Sequence, residues 1–131
     1  TSPEDLDSIV LIPKLSQSAY SDVVQQLKVW GVDYLDILFI DGDHRAAAMI
    51  RDFRIYSPLV KQGGFIVFDD YLDRESSPEV MEAVHSLALS GEININDYTI
   101  FGTIENSAGA TGGGWQQHLS NDFVLQKKWK K

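Results

Sequence analysis

Two short apolar runs that stop abruptly on acidic residues constrain this chain more than any other feature. Residues 37–44 read Ile-Leu-Phe-Ile-Asp-Gly-Asp-His and residues 65–70 read Phe-Ile-Val-Phe-Asp-Asp. A continuous run of branched and aromatic residues is the pattern of a strand buried on both faces, as in a parallel sheet covered by helices. A helical stretch that ends in Gly63-Gly64 lies between them, so the unit reads as βαβ. Its strands are parallel, and Asp41, Asp69 and Asp70 fall together at their C-terminal ends, the edge where open α/β sheets take ligands. Three carboxylates meeting there repel one another unless a cation or a proton intervenes. The arrangement points to a hard-metal site beside a pocket, with oxygen ligands suited to Mg²⁺, Ca²⁺ or Mn²⁺ rather than zinc.

The flanking residues extend the alternation. Ile9-Val10-Leu11-Ile12 reads as a first short strand over 9–13, followed by a helix over 18–30 with Tyr20, Val23, Val24, Leu27 and Trp30 at helical spacing and Gly31 as its stop. Residues 35–40 form the next strand. A helix follows over 44–61, with Ala47, Ile50, Phe53 and Ile55 facing inward and Pro58 breaking its last turn. After the strand 64–68, Ser77 caps a helix with Pro78 at its first position. Strands near 98–104 and 122–129 close the chain, joined by residues 106–120 with their Gly109–Gly114 stretch, which does not read as a phosphate cradle. The expected architecture is a single α/β domain over 1–131: a three-layer sandwich whose sheet is mostly parallel with an antiparallel C-terminal hairpin.

Bulk properties narrow the function. The chain has 131 residues and a formal net charge of −8, which argues against a nucleic-acid partner. Its one basic cluster, Lys127, Lys128, Lys130 and Lys131 around Trp129, reads as a solvated tail. There is no cysteine, which excludes disulfides and thiolate metal sites. No apolar run is long enough to span a membrane, and the polar, acidic start does not read as a signal peptide, so a cytoplasmic protein is expected.

Several side chains are candidates for chemistry. Asp41 points into the cleft at the end of its strand. Gly42 permits the turn, and Asp43 is placed to cap the following helix, with metal ligation as its alternative. Adjacent Asp69 and Asp70 face opposite ways in an extended chain, so a turn is needed to bring both to one ion. His44 stands three residues past Asp41. There a helix N-terminus disfavours the imidazolium and an anionic cluster favours it, which suits a general base near neutrality. His85 and His118 read as incidental, and Trp30, Trp115 and Trp129 as packing residues.

The stretch from Leu35 to Tyr71, with its Ile-Asp-Gly-Asp-His and Gly-Gly-Phe-Ile-Val-Phe-Asp-Asp-Tyr strings, resembles class I S-adenosylmethionine-dependent methyltransferases. Within them it is most similar to the metal-dependent O-methyltransferases, including the macrocin and mycinose sugar enzymes. The resemblance implies a Rossmann-like sheet in the order 3-2-1-4-5-7-6, with Mg²⁺ on Asp41, Asp69 and Asp70. It also implies His44 as general base acting with Asp41, and S-adenosylmethionine near Ser16, Gln17 and Asp41. The implied substrate is a small hydroxylated acceptor. The family's glycine-rich donor loop and its ribose-binding acid are absent, so the chain is expected to begin near the family's third strand. Its open sheet edge is then expected either to close on residues 9–13 or to pair with a second copy as a homodimer. Two competing readings remain: a non-catalytic methyltransferase-like assembly module, and a haloacid-dehalogenase-type phosphatase using Asp41-x-Asp43.

Overall fold

Alternating strand and helix signals produce alternating strands and helices. The computed structural model describes residues 8–43, 45–73, 77–105 and 121–130, with the backbone alone for residue 105. Within them lie α1 (Tyr20–Val29), β1 (Leu35–Ile40), α2 (Ala46–Tyr56), β2 (Val60–Phe68), α3 (Pro78–Leu89), β3 (Tyr98–Glu105) and β4 (Asn121–Lys127). One four-stranded sheet has the order β1-β2-β4-β3. β1 and β2 are parallel, and β4 runs antiparallel to both β2 and β3. This is the α/β, Rossmann-like class expected from the sequence, including the antiparallel C-terminal pair.

The core is built on one face of that sheet. Alternate residues Ile40, Ile66, Phe68 and Leu125 project onto it and meet Met49 and Phe53 of α2 and the Val80–Leu87 side of α3. Phe53 stacks on Phe68 with ring centres 6.0 Å apart, and Phe123 meets Phe68 from the other side at 6.5 Å. The opposite face is different. Ile37 is 59% exposed, Phe39 51% and Phe101 52%. The third layer of the expected sandwich is not found among the described residues, and β1 is not the doubly buried strand that its unbroken apolar run suggests. Among the described residues, α2 and α3 cover the side that Ile40 faces.

Three further expectations need correction. Residues 9–13 form no strand, and Leu11 is 85% exposed. Strand propensity becomes a strand only where a neighbour accepts its backbone groups, and none of the four strands pairs with this segment. It therefore does not close the outer edge of β1. The helix expected over 44–61 stops at Tyr56, because Pro58 sits in a single 3-10 turn over Ser57–Leu59, and β2 already begins at Val60. Its buried residues include Ala48, Met49 and Phe53, one step round from the Ala47 expected inside.

The C-terminal lysines are not simply a solvated tail. Lys127 ends β4 and donates to the carbonyls of Ser57 and Val60 at 2.8 and 2.9 Å. Lys130 bonds Asp97 at 2.8 Å. Trp30 and Trp129, read as packing residues, are both largely exposed. Trp115 and His118 lie outside the described residues, as does the Gly109–Gly114 stretch.

Candidate active site

Parallel pairing of β1 and β2 in the register Ile40 with Phe68 brings the residues that follow each strand side by side. The Asp69 amide donates to the Ile40 carbonyl at 3.1 Å and continues the ladder one step. Asp70 then turns the chain with φ of 58°, a left-handed conformation that few non-glycine residues adopt, Asp and Asn among them. That turn answers the difficulty of adjacent carboxylates. Asp41, Asp69 and Asp70 each offer an oxygen within 4.8 Å of the others.

A fourth carboxylate stands behind them. Asp122 is the second residue of β4, and the antiparallel register that pairs Phe68 with Phe123 sets it beside Asp69. Burial, a hydrogen bond that its protonated form donates to Asp41 and the nearby charges of Asp70 and Asp41 outweigh the bond it accepts from Asp122, and push the Asp69 carboxyl up to about 6. Burial, then the hydrogen bond and charge of Asp69, push Asp122 up to about 7. Asp122 was not singled out from the sequence, where it marks only the start of a strand. The available signal was topological: in an antiparallel closing strand, the first residues lie at the C-terminal ends of the parallel ones.

The donor set fits a hard divalent cation. All its atoms are oxygens, the carboxylates are crowded enough to retain protons, and Asn121 Oδ1 and Asp122 Oδ1 are buried without a hydrogen-bond partner among the described residues. Asp43 stands apart from this group. It accepts the Arg45 amide at 3.0 Å and pairs with the Arg45 guanidinium, whose hydrogen bonds hold its carboxyl down at about 2. It therefore braces the start of α2, though the cap position itself is Arg45.

A cleft of about 740 Å³ opens beside Asp41, and Ser16, Gln17, Asp43 and Asp52 also line it. Ser16 is fixed at two points by α2. Its hydroxyl donates to Asp52 at 2.5 Å, and the Tyr56 hydroxyl donates to its carbonyl at 2.5 Å. Ser16, Gln17 and Asp41 thus line one cavity, and Asp69 and Asp70 stand beside Asp41. His44 lies outside the described residues. His85, read as incidental, meets the Tyr71 hydroxyl through Nε2 at 2.9 Å, and Tyr71 in turn lies against Phe123 with ring centres 4.8 Å apart.

A methyltransferase-domain family model matches residues 7–71. That match takes in the Leu35–Tyr71 stretch and just under half of the chain. Over 97 residues this chain is 38% identical to the uncharacterised protein R132 of Acanthamoeba polyphaga mimivirus, a match that covers 70% of this chain and 44% of the relative. Among solved structures, the M1.HpyAVI–SAM complex superposes with a TM-score of 0.54 at 16% identity, covering 90% of this chain and 52% of that one. The O-methyltransferase NovP is similar at a TM-score of 0.48 and 19% identity, over 75% of this chain and 31% of that one. The chain thus spans about half or less of the length of these relatives.

The crowded acids make the domain's stability depend on pH. Asp69 and Asp122 ordinarily titrate at 3.8 and in the fold at about 6 and 7, so between these values the folded chain binds more protons than the unfolded one. Their contribution is fully present below pH 4 and is lost as pH rises through 6 to 7. The melting temperature of cation-free protein is expected to fall across that window, and the fall should flatten in Asp122→Asn. Equal slopes for the two proteins would show that these carboxyls do not carry the effect.

Proposed function

We propose that this chain forms part of an S-adenosylmethionine-dependent O-methyltransferase that uses a divalent cation, Mg²⁺ or a similar ion, to engage a small hydroxylated acceptor. The observation that supports it best is the meeting of Asp41, Asp69 and Asp70 within 4.8 Å at the C-terminal edge of two parallel strands, with Asp41 lining the cleft of about 740 Å³. Asp41, Asp69 and Asp70 would hold the ion, with Asp122 bracing Asp69 from behind. When bound, the ion would lower the pKa of an acceptor hydroxyl and S-adenosylmethionine would supply the methyl group.

The chain's own residues then have separable tasks. Ser16, fastened to α2 through Asp52 and Tyr56, and its neighbour Gln17 form a wall on the donor side of the cleft. Asp41 belongs to both the wall and the acid cluster, so it sets the distance between donor and acceptor. Holding the reacting groups in line supplies much of the acceleration in such a transfer. His44 is the base that takes the hydroxyl proton.

The test is methyl transfer from S-adenosylmethionine to a panel of catechol and sugar hydroxyls, with Mg²⁺ and with a chelator. His44→Ala is expected to lower kcat by about a hundredfold or more while leaving KM nearly unchanged. An unaltered kcat removes His44 from the mechanism. Absence of transfer to every acceptor under both conditions would favour the assembly-module reading instead.

A further inference from the structure

A second cleft of about 550 Å³ lies at the opposite end of the sheet, where β2 begins and β4 ends. Tyr34, Val60, Gln62, Lys127, Lys128 and Trp129 are among its lining residues, and none of them lines the cleft beside Asp41. Its volume is within the usual range for small-molecule sites.

Two features set it apart from ordinary surface. The first is an aromatic ring that is held in place and yet open. Trp129 is 75% exposed, but its indole lies so close over Gly63 that a Cβ there would come within 2.7 Å of Cζ2. Gly63 itself has φ of +82°, so both the backbone and the ring require glycine. The strap carrying Trp129 is pinned on either side: Lys128 Nζ donates to the Ile95 carbonyl at 2.6 Å, and the Lys130 amide donates to Gln62 Oε1 at 3.3 Å. Tyr34, 54% exposed, presents a second ring to the same space.

The second feature is charge. In a chain of net charge −8, this cleft gathers Lys61, Lys127, Lys128 and Lys130. Asp36 bonds Lys61 at 2.7 Å and Asp97 bonds Lys130 at 2.8 Å. The ammonium groups of Lys127 and Lys128 instead hydrogen-bond to carbonyl oxygens, which carry no formal charge, and Lys127 also feels the charge of Asp97 without pairing directly with it.

We propose that this cleft is a second binding site, for a small planar-ring anion that stacks on Trp129 and sets its charged group against Lys127 and Lys128. Aryl phosphates and nucleotides share that chemistry. Ring stacking on a fixed aromatic and a charge-assisted contact to lysine are each available without rearranging the fold. The site is independent of the methyl-transfer reading, because it shares no residue with the acid cluster.

The experiment follows the Trp129 indole signal by NMR in the full chain, assigned from a Trp129→Phe variant. Phenyl phosphate and uridine 5′-monophosphate are titrated, with inorganic phosphate and uridine alone as part-probes. Both complete probes are expected to shift the signal saturably, and each part to bind at least about tenfold more weakly. The tighter of the two complete probes identifies the source. Trp129→Ala should weaken binding by about tenfold, the size of a lost stacking contact. Lys128→Gln, which keeps a donor for Ile95, should weaken it severalfold and reduce its salt dependence. Asp41→Asn should leave it unchanged. No shift with either complete probe, unaltered affinity in Lys128→Gln, or a loss of binding in Asp41→Asn would each overturn the proposal. Lys128→Gln retains its force should Trp129→Ala fail to fold.

Discussion

Asp41→Asn is expected to abolish saturable Mg²⁺ binding and to reduce cation-dependent methyl transfer by at least roughly a hundredfold, the ratio that about 2.7 kcal/mol of lost transition-state stabilisation produces. The substitution removes one of three converging charges and preserves shape, so the fold should survive it. Asp41 follows the last residue of β1 and is exposed, and the core is filled from Ile40 inward. Its removal also relieves Asp69, whose carboxyl is raised in part by Asp41. The variant should therefore titrate Asp69 at a lower pH while binding the ion less well. Calorimetry with Mg²⁺ and an NMR titration of the aspartate carboxyls measure the two effects on one sample. Wild-type Mg²⁺ affinity in the variant would exclude Asp41 as a ligand, whatever happened to activity.

Phe68→Ala should be the most damaging single truncation in the core. Phe68 is fully buried, closes β2 immediately before Asp69, and lies between the rings of Phe53 and Phe123. Deleting the ring removes its transfer free energy and leaves a cavity that a helix on one side and a sheet on the other cannot collapse, at a cost of about 3–5 kcal/mol. Stabilities of ordinary domains are only about 5–15 kcal/mol, so this is a large part of the total. Phe101→Ala on the uncovered face is the control. Its ring is 52% exposed, and its loss should cost far less. Urea midpoints at constant m-value compare the two variants. Equal losses would mean that both faces of the sheet are buried in solution.

Much of the site was legible because strand ends are set by local chemistry. Ile37–Ile40 and Phe65–Phe68 announce their strands by composition, and the intervening helix obliges them to be parallel, so Asp41 and Asp69 had to meet. The features that escaped depend on partners remote in sequence. Asp122 reaches Asp69 only through the register of β4 on β2, which no pattern within residues 121–127 encodes. Ile9–Ile12 has the composition of a strand, but its fate depends on whether a neighbouring edge is offered to it. Ile37 and Phe39 have the composition of buried residues, but burial depends on a layer that the described residues do not supply on their side. Ser77 and Pro78 show the reverse case: both positions follow from local rules and stand where expected at the start of α3, although no side-chain cap bond from Ser77 forms there.

The turn at Asp70 shows how selection for chemistry and selection for stability diverge in this fold. A side chain held at φ of 58° costs about 1 kcal/mol that glycine would recover. Screens that reward only folded yield should therefore drift toward glycine or asparagine at position 70 and lose an anionic oxygen from the cluster without any warning in thermal stability. A library built on this scaffold needs that position frozen before the first round of sorting.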